Sequence, residues 1–502
     1  HDFGPDAVKG GVVVGYEARR FSREFAVLSS EVFAANGITA HLFPHLCTTP
    51  EVSFAVRHMG VTAGVMITAS HNPRTDNGFK FYWSDGGQVV PPHDLKFMEL
   101  VNTVEDIAHA PFDDAREKGM IQLVSSDVDR AYLQAVQSLS LNRSRSARIV
   151  YSPIHGAGTQ NVLPVLEQQG FDVTTVPEQR EPDPEFPTAT RDLINPEFDE
   201  VMALPMQRGV EQQADLVIVS DPDADRIGVA VRRSLADPAL IHLNGNEVGV
   251  ALVHCILRTL QEQGKLRPTG VVITTAVTTS LISEIAQSFG MRTINDLLVG
   301  YKFIAEQIEQ LPDKADFVFA AEESLGYLAG TFVRDKDASI AALLMGELAS
   351  ACKDRGQTVV QYLDDVYRQF GYVKNILHYI EVPGKIGMEQ TGRIMRGLRA
   401  TPPAAIGAMP VLTVVDRLTP EQRDASHYRV GMTGDMLTYI LSEDGRTRVT
   451  IRPSGTEPKV KCYIQHAAPP ADSLDPVRAR IDAEAEALAA ATNALAYGFI
   501  AS

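Results

Sequence analysis

The sequence predicts an α/β fold: three α/β mixed-sheet domains followed by a smaller C-terminal α+β domain. Two observations carry this expectation. Short β-branched runs alternate with longer segments whose apolar residues recur at helical spacing and which end on glycine. Strand, helix, strand, repeated along a chain, builds parallel strands into sheets covered on both faces. The length, 502 residues, exceeds what one hydrophobic core organises and calls for several domains.

The elements follow in order. "GVVVGY" is a strand, and "SREFAVLSSEVFAANG" is a helix closed by Gly37. "TAGVMIT", "ARIVYS", "ADLVIVS", "GVVITTAV" and "DFVFAAEE" are further strands. "NVLPVLEQQG", "GNEVGVALVHCILRTLQEQG", "SLISEIAQSFG" and "ASIAALLMGELASACK" carry helical spacing. A polar Ser/Arg-rich stretch around 139–148 and a Gly/Asn turn around 241–249 separate units. Near 370 the texture changes. "KNILHYIEVPG", "MLTYILSEDGRTRVTIRPSG" and "KVKCYIQ" read as hairpin strands, and "VRARIDAEAEALAAATNAL" as a closing helix. The expected domains are therefore 1–140, 141–244, 245–370 and 371–502. The stretch 177–198 holds five prolines and is expected to be an extended loop with no element of its own.

Composition narrows the function. Hydrophobic content of 44% and charged content of 22% fit a globular chain. A net charge of −17 argues against nucleic acid as a partner, and no apolar run reaches membrane-spanning length. An anionic ligand would need local Arg and Lys clusters against that global field. Cys47, Cys255, Cys352 and Cys462 are scattered with no CxxC pair, which speaks against zinc or a disulfide framework and suits a reducing cytoplasm. The chain opens "HDFGPDAVKGG" with neither an initiator Met nor a signal-peptide pattern, so its own N-terminus is expected to be incomplete.

Three chemistry-bearing clusters each follow directly on a strand: "ASHNP" after "GVMIT", "DPDADR" after "LVIVS" and "EES" after "FVFAA". Open parallel sheets bind ligands beyond the carboxyl ends of their strands, so three such ends could face one site. Asp221, Asp223 and Asp225 alternate, and in an extended loop they could converge on a hard divalent cation, Mg²⁺ by its ligand set. An EF-hand is excluded because Arg226 and Arg232 stand where that loop needs Gly and Glu. Ser70 lacks the G-x-S-x-G frame of an esterase, and by itself it equally suits a turn at Asn72-Pro73. As a phosphoryl carrier it would give a cation beside it a further oxygen ligand, with Lys80 or His71 near the same atoms. "TIRPSGTEPKVK" sets Arg452, Ser454, Thr456 and Lys459 around a glycine turn suited to a phosphate.

The four motifs TASHNP, DPDADR, EES and RPSGTEP, in that order, resemble the α-D-phosphohexomutase superfamily. The likeness runs from "GVVVGYEARR" to "KVKCYIQ". "VSFAVRHMGVTAGVMITASHNPRTDNGFKFYW" and "GGQVVPPHD" look nearest the branch of phosphoglucomutases, phosphopentomutases and glucose-1,6-bisphosphate synthases. The resemblance implies four domains about a central cleft, the last TATA-binding-protein-like. It implies phosphorylated Ser70 as carrier, one Mg²⁺ per chain on Asp221, Asp223, Asp225 and Ser70, and His71, Lys80 and Arg226 as catalytic groups. Substrate would meet Arg19, Lys302, Glu323, Ser324, Lys336, Arg452, Ser454, Gly455, Thr456 and Lys459. A sugar 1,6-bisphosphate would serve as activator, the partner would be a small phosphosugar, and the chain would be a monomer or homodimer.

Two departures stand out. The family's FGTxGxRG-type segment with its arginine is absent, leaving Arg19 and Arg226 for that role. Ala321 replaces the glycine of GEES, which questions the backbone angle there. The expected reaction is that of a phosphoglucomutase. The alternatives are phosphopentomutase, phosphomannomutase or bisphosphate synthase chemistry on the same site, then a phosphatase with Asp221 as nucleophile, then a non-catalytic sugar-phosphate sensor.

Overall fold

A computed structural model describes residues 8–190, 193–382, 386–424, 434–454 and 458–500. The chain divides into two compact units, one of His1–Thr278 with Ala286–Leu363 and one of Thr279–Ile285 with Asp364–Ser502.

The first unit holds three sheets. The first contains β1 (Val12–Tyr16), β2 (Ala40–Leu42), β3 (Ala63–Ile67), β4 (Phe79–Trp83) and β5 (Ile121–Leu123), in the order β4-β3-β1-β2-β5. The second contains β6 (Arg148–Ser152), β7 (Asp172–Thr175), β8 (Leu216–Ser220), β9 (Ile227–Arg232) and β10 (Leu240–Leu243), in the order β10-β9-β8-β6-β7. The third contains β11 (Val271–Thr275), β12 (Arg292–Leu297), β13 (Phe317–Glu322) and β14 (Gly326–Leu328), in the order β12-β11-β13-β14. In each sheet the central strands pair in parallel, and β1, β3, β8 and β11 are buried along their whole length, which is why they read as apolar runs rich in Val and Ile.

Each sheet is mixed for the same reason. The strand after the chemistry-bearing loop turns straight back: β4 on β3, β9 on β8 and β14 on β13 are all antiparallel. The three loops are therefore hairpin connections, which hold their ends more tightly than a crossover would.

Helices form where the helix-period segments predicted them: Ser22–Ala35, Val162–Gln168, Gly245–Glu262, Ser280–Ser288 and Ala338–Asp354. The Gly/Asn turn near 241–249 resolves into β10 followed by a capping box, with Asn244 and Glu247 satisfying each other's backbone N–H groups. One expectation fails in part. The proline-rich stretch 177–198 begins with a short helix, Pro177–Arg180, because Pro177 presets φ at a helix start, where no N–H is required.

The second unit is α+β. β15 (Val373–Glu381) opens it, a small hairpin of β16 (Ala405–Ile406) and β17 (Met409–Pro410) follows, and β18 (Thr413–Asp416), β19 (Leu437–Ile440), β20 (Arg448–Pro453) and β21 (Lys459–Ala467) complete an antiparallel sheet. Its order is β15-β21-β20-β19-β18. Its inward residues, among them Tyr439, Val449, Ile451 and Cys462, form one core with Ile394 and Leu398 of helix Gly387–Ala400 and Leu488 of helix Leu474–Gly498. All four cysteines are buried and free, and no helix among the described residues is long and apolar enough to cross a membrane.

Close approach of helix Thr49–Met59 to the first sheet depends on Gly15 in β1. A Cβ there would lie 2.4 Å from Val52 Cγ2 and 2.5 Å from Cys47 Sγ. Both neighbours are fully buried and cannot swing away. Gly15→Ala should therefore destabilise the first unit by about 1–3 kcal/mol through overpacking. Its first thermal unfolding transition should fall, and an unchanged transition would show that the helix can lift without cost.

Candidate active site

The three hairpin loops share a backbone device. Each contains one non-glycine residue in the left-handed region: Ser70 at φ 52°, Ala224 at φ 50° and Leu325 at φ 68°. Such residues are strained by roughly 1–3 kcal/mol each and persist only where the surroundings over-determine them. Ala321, which stands for the expected glycine, lies in the regular β13–β14 ladder opposite Tyr327, so that position needs no glycine. The left-handed residue of the EES loop is Leu325. Gly245 is needed nearby instead, because a Cβ on it would meet Glu323 O at 2.0 Å.

Arg19 over-determines the Ser70 loop. Its Nη2 donates to Ser70 O and Asn72 O, both at 2.6 Å, and its Nη1 to Pro73 O at 2.6 Å and Asp76 O at 2.9 Å. Its Nε faces Glu17 Oε1 at 2.9 Å, and both side chains are fully buried. Burial pushes the Glu17 carboxyl up to about 7, with Arg19 working against the rise. Glu17 Oε1 also accepts from Thr68 Oγ1, which in turn accepts from Ser70 N at 2.7 Å. The sequence expectation for Arg19 needs correction. Its donors are all turned to loop carbonyls and Glu17, so it shapes the loop and is not aimed at a substrate or at a phosphate on Ser70.

The acidic loop comes together as the alternating spacing predicts. Asp221, Asp223 and Asp225 are buried, and one carboxylate oxygen from each lies within 4.8 Å of the others. Asp221 Oδ1 accepts from the N–H groups of Asp225 and Arg226, both at 3.0 Å, and its Oδ2 accepts from Ser70 Oγ at 3.2 Å. Cations crowd the other two. Lys80 Nζ lies 2.7 Å from Asp223 Oδ2 and 3.0 Å from Asp225 Oδ2, and Lys336 Nζ lies 2.6 Å from Asp225 Oδ2. Arg226 Nε stands 3.6 Å from Asp225 Oδ1.

The titration of these groups follows from that crowding. Burial opposes the charge on Lys80, but Asp223 and Asp225 outweigh it and hold the ammonium well above its usual range. Burial and the two neighbouring carboxylates push Asp221 up. Burial presses Asp225 the same way, yet Lys336, Lys80 and Arg226 together bring it down.

The donor set fits a hard divalent cation. Asp223 Oδ1 and Asp225 Oδ1 are buried with no hydrogen-bond partner among the described residues, and oxygen-only ligands are what such an ion takes. His71 Nδ1 stands 3.3 Å from Ser70 Oγ. Ser70, His71, Lys80, Arg226, Lys336 and the three aspartates are thus one cluster, drawn from all three sheets.

The remaining predicted residues are distributed differently. Glu323 and the half-buried Ser324 lie in the β13–β14 turn, where Glu323 Oε2 accepts from Thr278 Oγ1 at 3.4 Å. Lys302 pairs with Asp94 at 2.7 Å and does not join the acidic cluster. In the second unit Arg452 sits near the end of β20 opposite Lys461, and Ser454 N donates to Lys459 O at 2.9 Å. Lys459 Nζ lies 5.1 Å from the Tyr379 ring centre. Gly455 and Thr456 lie outside the described residues.

Sequence reasoning missed Asp335 and Thr49 and marked Glu322 only as part of the EES motif. Glu322 is buried, and its charge acts on both Lys336 and Arg226. Asp335 accepts from Tyr82 Oη at 3.1 Å, from Gln88 Nε2 at 2.7 Å and from Lys336. Thr49 donates to Asp223 Oδ2 at 2.6 Å. The dense charge of "RDKD", Arg334 to Asp337, a few residues after β14, was the available signal for Asp335; for Thr49 there was none.

Profiles of the phosphoglucomutase/phosphomannomutase α/β/α domains I, II and III match residues 3–108, 130–234 and 244–370. The phosphoglucomutase of Staphylococcus saprophyticus is 34% identical over 466 residues, covering 90% of this chain and 82% of its own. That of Staphylococcus haemolyticus is 32% identical over 461 residues, with the same coverage. Among solved structures, a putative phosphomannomutase from Thermus thermophilus superposes with TM-score 0.67 at 21% identity, covering 96% of this chain and 92% of that one. The open form of parafusin from Paramecium, a phosphoglucomutase, superposes with TM-score 0.69 at 16% identity, covering 97% and 89%. With three consecutive domains matched and relatives above 30% identity over most of both lengths, the chain belongs to the phosphoglucomutase/phosphomannomutase family of the α-D-phosphohexomutase superfamily.

Proposed function

We propose that this protein is a phosphoglucomutase, moving a phosphoryl group between the 1- and 6-hydroxyls of glucose by way of Ser70. The observation that carries the mechanism is the Ser70 hydroxyl, 3.2 Å from Asp221 Oδ2, in a loop where Asp223 Oδ1 and Asp225 Oδ1 are buried without a hydrogen-bond partner among the described residues. The choice of glucose over mannose or a pentose rests on the phosphoglucomutase relatives at 32–34% identity.

Ser70 in its phosphorylated form gives its phosphoryl group to the free hydroxyl of the bound sugar monophosphate. The P–O bond to Ser70 breaks as the bond to the sugar oxygen forms. The sugar hydroxyl loses a proton and Ser70 Oγ regains one. His71 Nδ1, 3.3 Å from Ser70 Oγ, is the ring nitrogen in reach of that exchange. The resulting bisphosphate turns over, its other phosphate returns to Ser70, and the isomer leaves. A sugar 1,6-bisphosphate loads a chain that has lost its phosphate.

Asp221, Asp223 and Asp225, with an oxygen from phosphorylated Ser70, would hold one Mg²⁺, which when bound neutralises charge on the transferring group. Lys80, Lys336 and Arg226 supply fixed positive charge around the same atoms, preorganised by their carboxylate partners. Glu323 and Ser324 are proposed to hold sugar hydroxyls. Arg452, Ser454, Gly455, Thr456 and Lys459 are proposed to grip the phosphate that is not being transferred.

Ser70→Ala should abolish turnover while the protein remains folded, since only the carrier hydroxyl is lost. Intact-mass spectrometry of the wild type should show a population heavier by one phosphate, absent in the variant. Wild-type rates in Ser70→Ala would sink the mechanism.

Chelation should silence the wild-type enzyme and added Mg²⁺ should restore it. Asp223→Asn should need a higher Mg²⁺ concentration for half-maximal rate, because one anionic ligand becomes neutral. Activity indifferent to chelator would reduce the acidic loop to a structural turn.

Arg19→Ala leaves Glu17 buried and uncompensated, and breaking such a pair costs about 3–5 kcal/mol. Faster amide exchange across residues 70–76 and a large loss of activity are expected. Arg19→Lys should rescue neither, because lysine lacks the planar fork that reaches four carbonyls. Native exchange in Arg19→Ala would mean the loop holds itself.

A further inference from the structure

Asp223 is held by a residue from another domain. Thr49 is the first residue of helix Thr49–Met59 and is completely buried. Its Oγ1 donates to Asp223 Oδ2 at 2.6 Å, and its backbone N donates to Asp223 O at 2.9 Å. One residue therefore fixes both the main chain and the side chain of a carboxylate 174 positions away.

Thr49 is itself anchored. Thr48 caps the helix by accepting from Glu51 N, and Asn161 Nδ2 donates to Thr48 Oγ1 at 2.7 Å and to Glu51 Oε2 at 3.0 Å. Thr48, Glu51 and Asn161 are all buried. The helix start is thus tied to the second sheet's domain on both sides of Thr49.

The consequence lies in the two oxygens of Asp223. Oδ2 takes Thr49 Oγ1 and Lys80 Nζ, while Oδ1 is buried with no hydrogen-bond partner. A carboxylate held at one oxygen by two donors cannot exchange its oxygens without breaking both bonds. We propose that Thr49 is a positioning residue for divalent-cation binding, one that locks the Asp223 carboxylate so that Oδ1 stays presented to the cation. Lys80 cannot do this alone, because its ammonium also bonds Asp225 and moves on a flexible stem. Outer-shell partners of metal-ligating groups commonly change affinity by about 10- to 100-fold. The inference rests on the reading of the aspartate loop as a cation site.

The test is direct Mn²⁺ titration, read as loss of the free-ion electron paramagnetic resonance signal, so that no turnover is required. Wild type, Thr49→Val, Thr49→Ser and Asp223→Asn are compared, each checked for a native melting curve. Thr49→Val keeps the side chain's shape and removes only the hydroxyl. It should weaken Mn²⁺ binding by about tenfold, while KM for the sugar phosphate at saturating metal stays near that of the wild type.

Thr49→Ser keeps the donor and should bind Mn²⁺ as the wild type does. Thr49→Val added to Asp223→Asn should lower affinity no further, since the locked group is already lost. Wild-type Mn²⁺ affinity in Thr49→Val, or affinity in Thr49→Ser as weak as in Thr49→Val, overturns the inference while leaving the cation site intact. A wild-type protein that binds no Mn²⁺ overturns the cation reading itself. Should Thr49→Val fail to fold, the smaller Thr49→Ala takes its place with the same expected weakening.

Discussion

Three carboxylates share one solvent-free loop, and the rest of the active-site architecture answers that fact. Two like charges 4 Å apart repel by about 4 kcal/mol at an effective dielectric near 20, before their desolvation is counted. The loop is stable only because positive charge reaches it from elsewhere in the chain. Lys80 arrives on the return strand of the first sheet, Arg226 follows the loop itself, and Lys336 comes from the segment after β14. Bringing those cations together requires three domains to meet at the same ends of their sheets. Charge neutrality at the triad and the assembly of the first unit are therefore one problem.

A single construction solves it three times. A buried parallel strand runs outward, a short loop carries the functional side chains through a left-handed residue, and an antiparallel strand returns at once. The return strand confines the loop, so that strained residues such as Ser70 can be held without glycine. Lys80 shows the benefit. On β4 it stands opposite Met66 of β3, and its ammonium reaches Asp223 and Asp225 of the acidic loop. Arg19 completes the first loop from within by capturing four carbonyls, a task that needs the five donors of a guanidinium.

The balance of charge also explains how an acidic protein handles anionic substrates. With a net charge of −17, long-range attraction of a sugar phosphate is unfavourable. The cations at the triad are short-range and fixed, and their carboxylate partners keep them oriented in advance. A divalent ion on Oδ1 of Asp223 and Asp225, which lack hydrogen-bond partners among the described residues, would tip the local sum toward positive, which is what a transferring phosphoryl group requires.

How much of this was legible beforehand follows the range of each interaction. The sequence by itself determined the fold class, the buried strands that lead into the three loops, several of the covering helices and the loops themselves, because hydrophobic period, turn residues and alternating acids are local patterns. Motif order also pointed to one shared site for Ser70 and the three aspartates, and in the structure Ser70 Oγ donates to Asp221 within that acidic loop. Tertiary structure decided what no local pattern records. It turned Arg19 from a candidate substrate ligand into the clamp of the Ser70 loop, set Lys302 against Asp94, and joined Thr49 to Asp223. It placed the left-handed backbone of the third loop at Leu325 and left Ala321 in a regular strand. Each of these depends on which groups from distant parts of the chain arrive within about 3 Å of each other, the range over which a hydrogen bond acts. A side chain's role in a buried charge cluster is fixed by its neighbours, and those neighbours exist only once the sheets have packed.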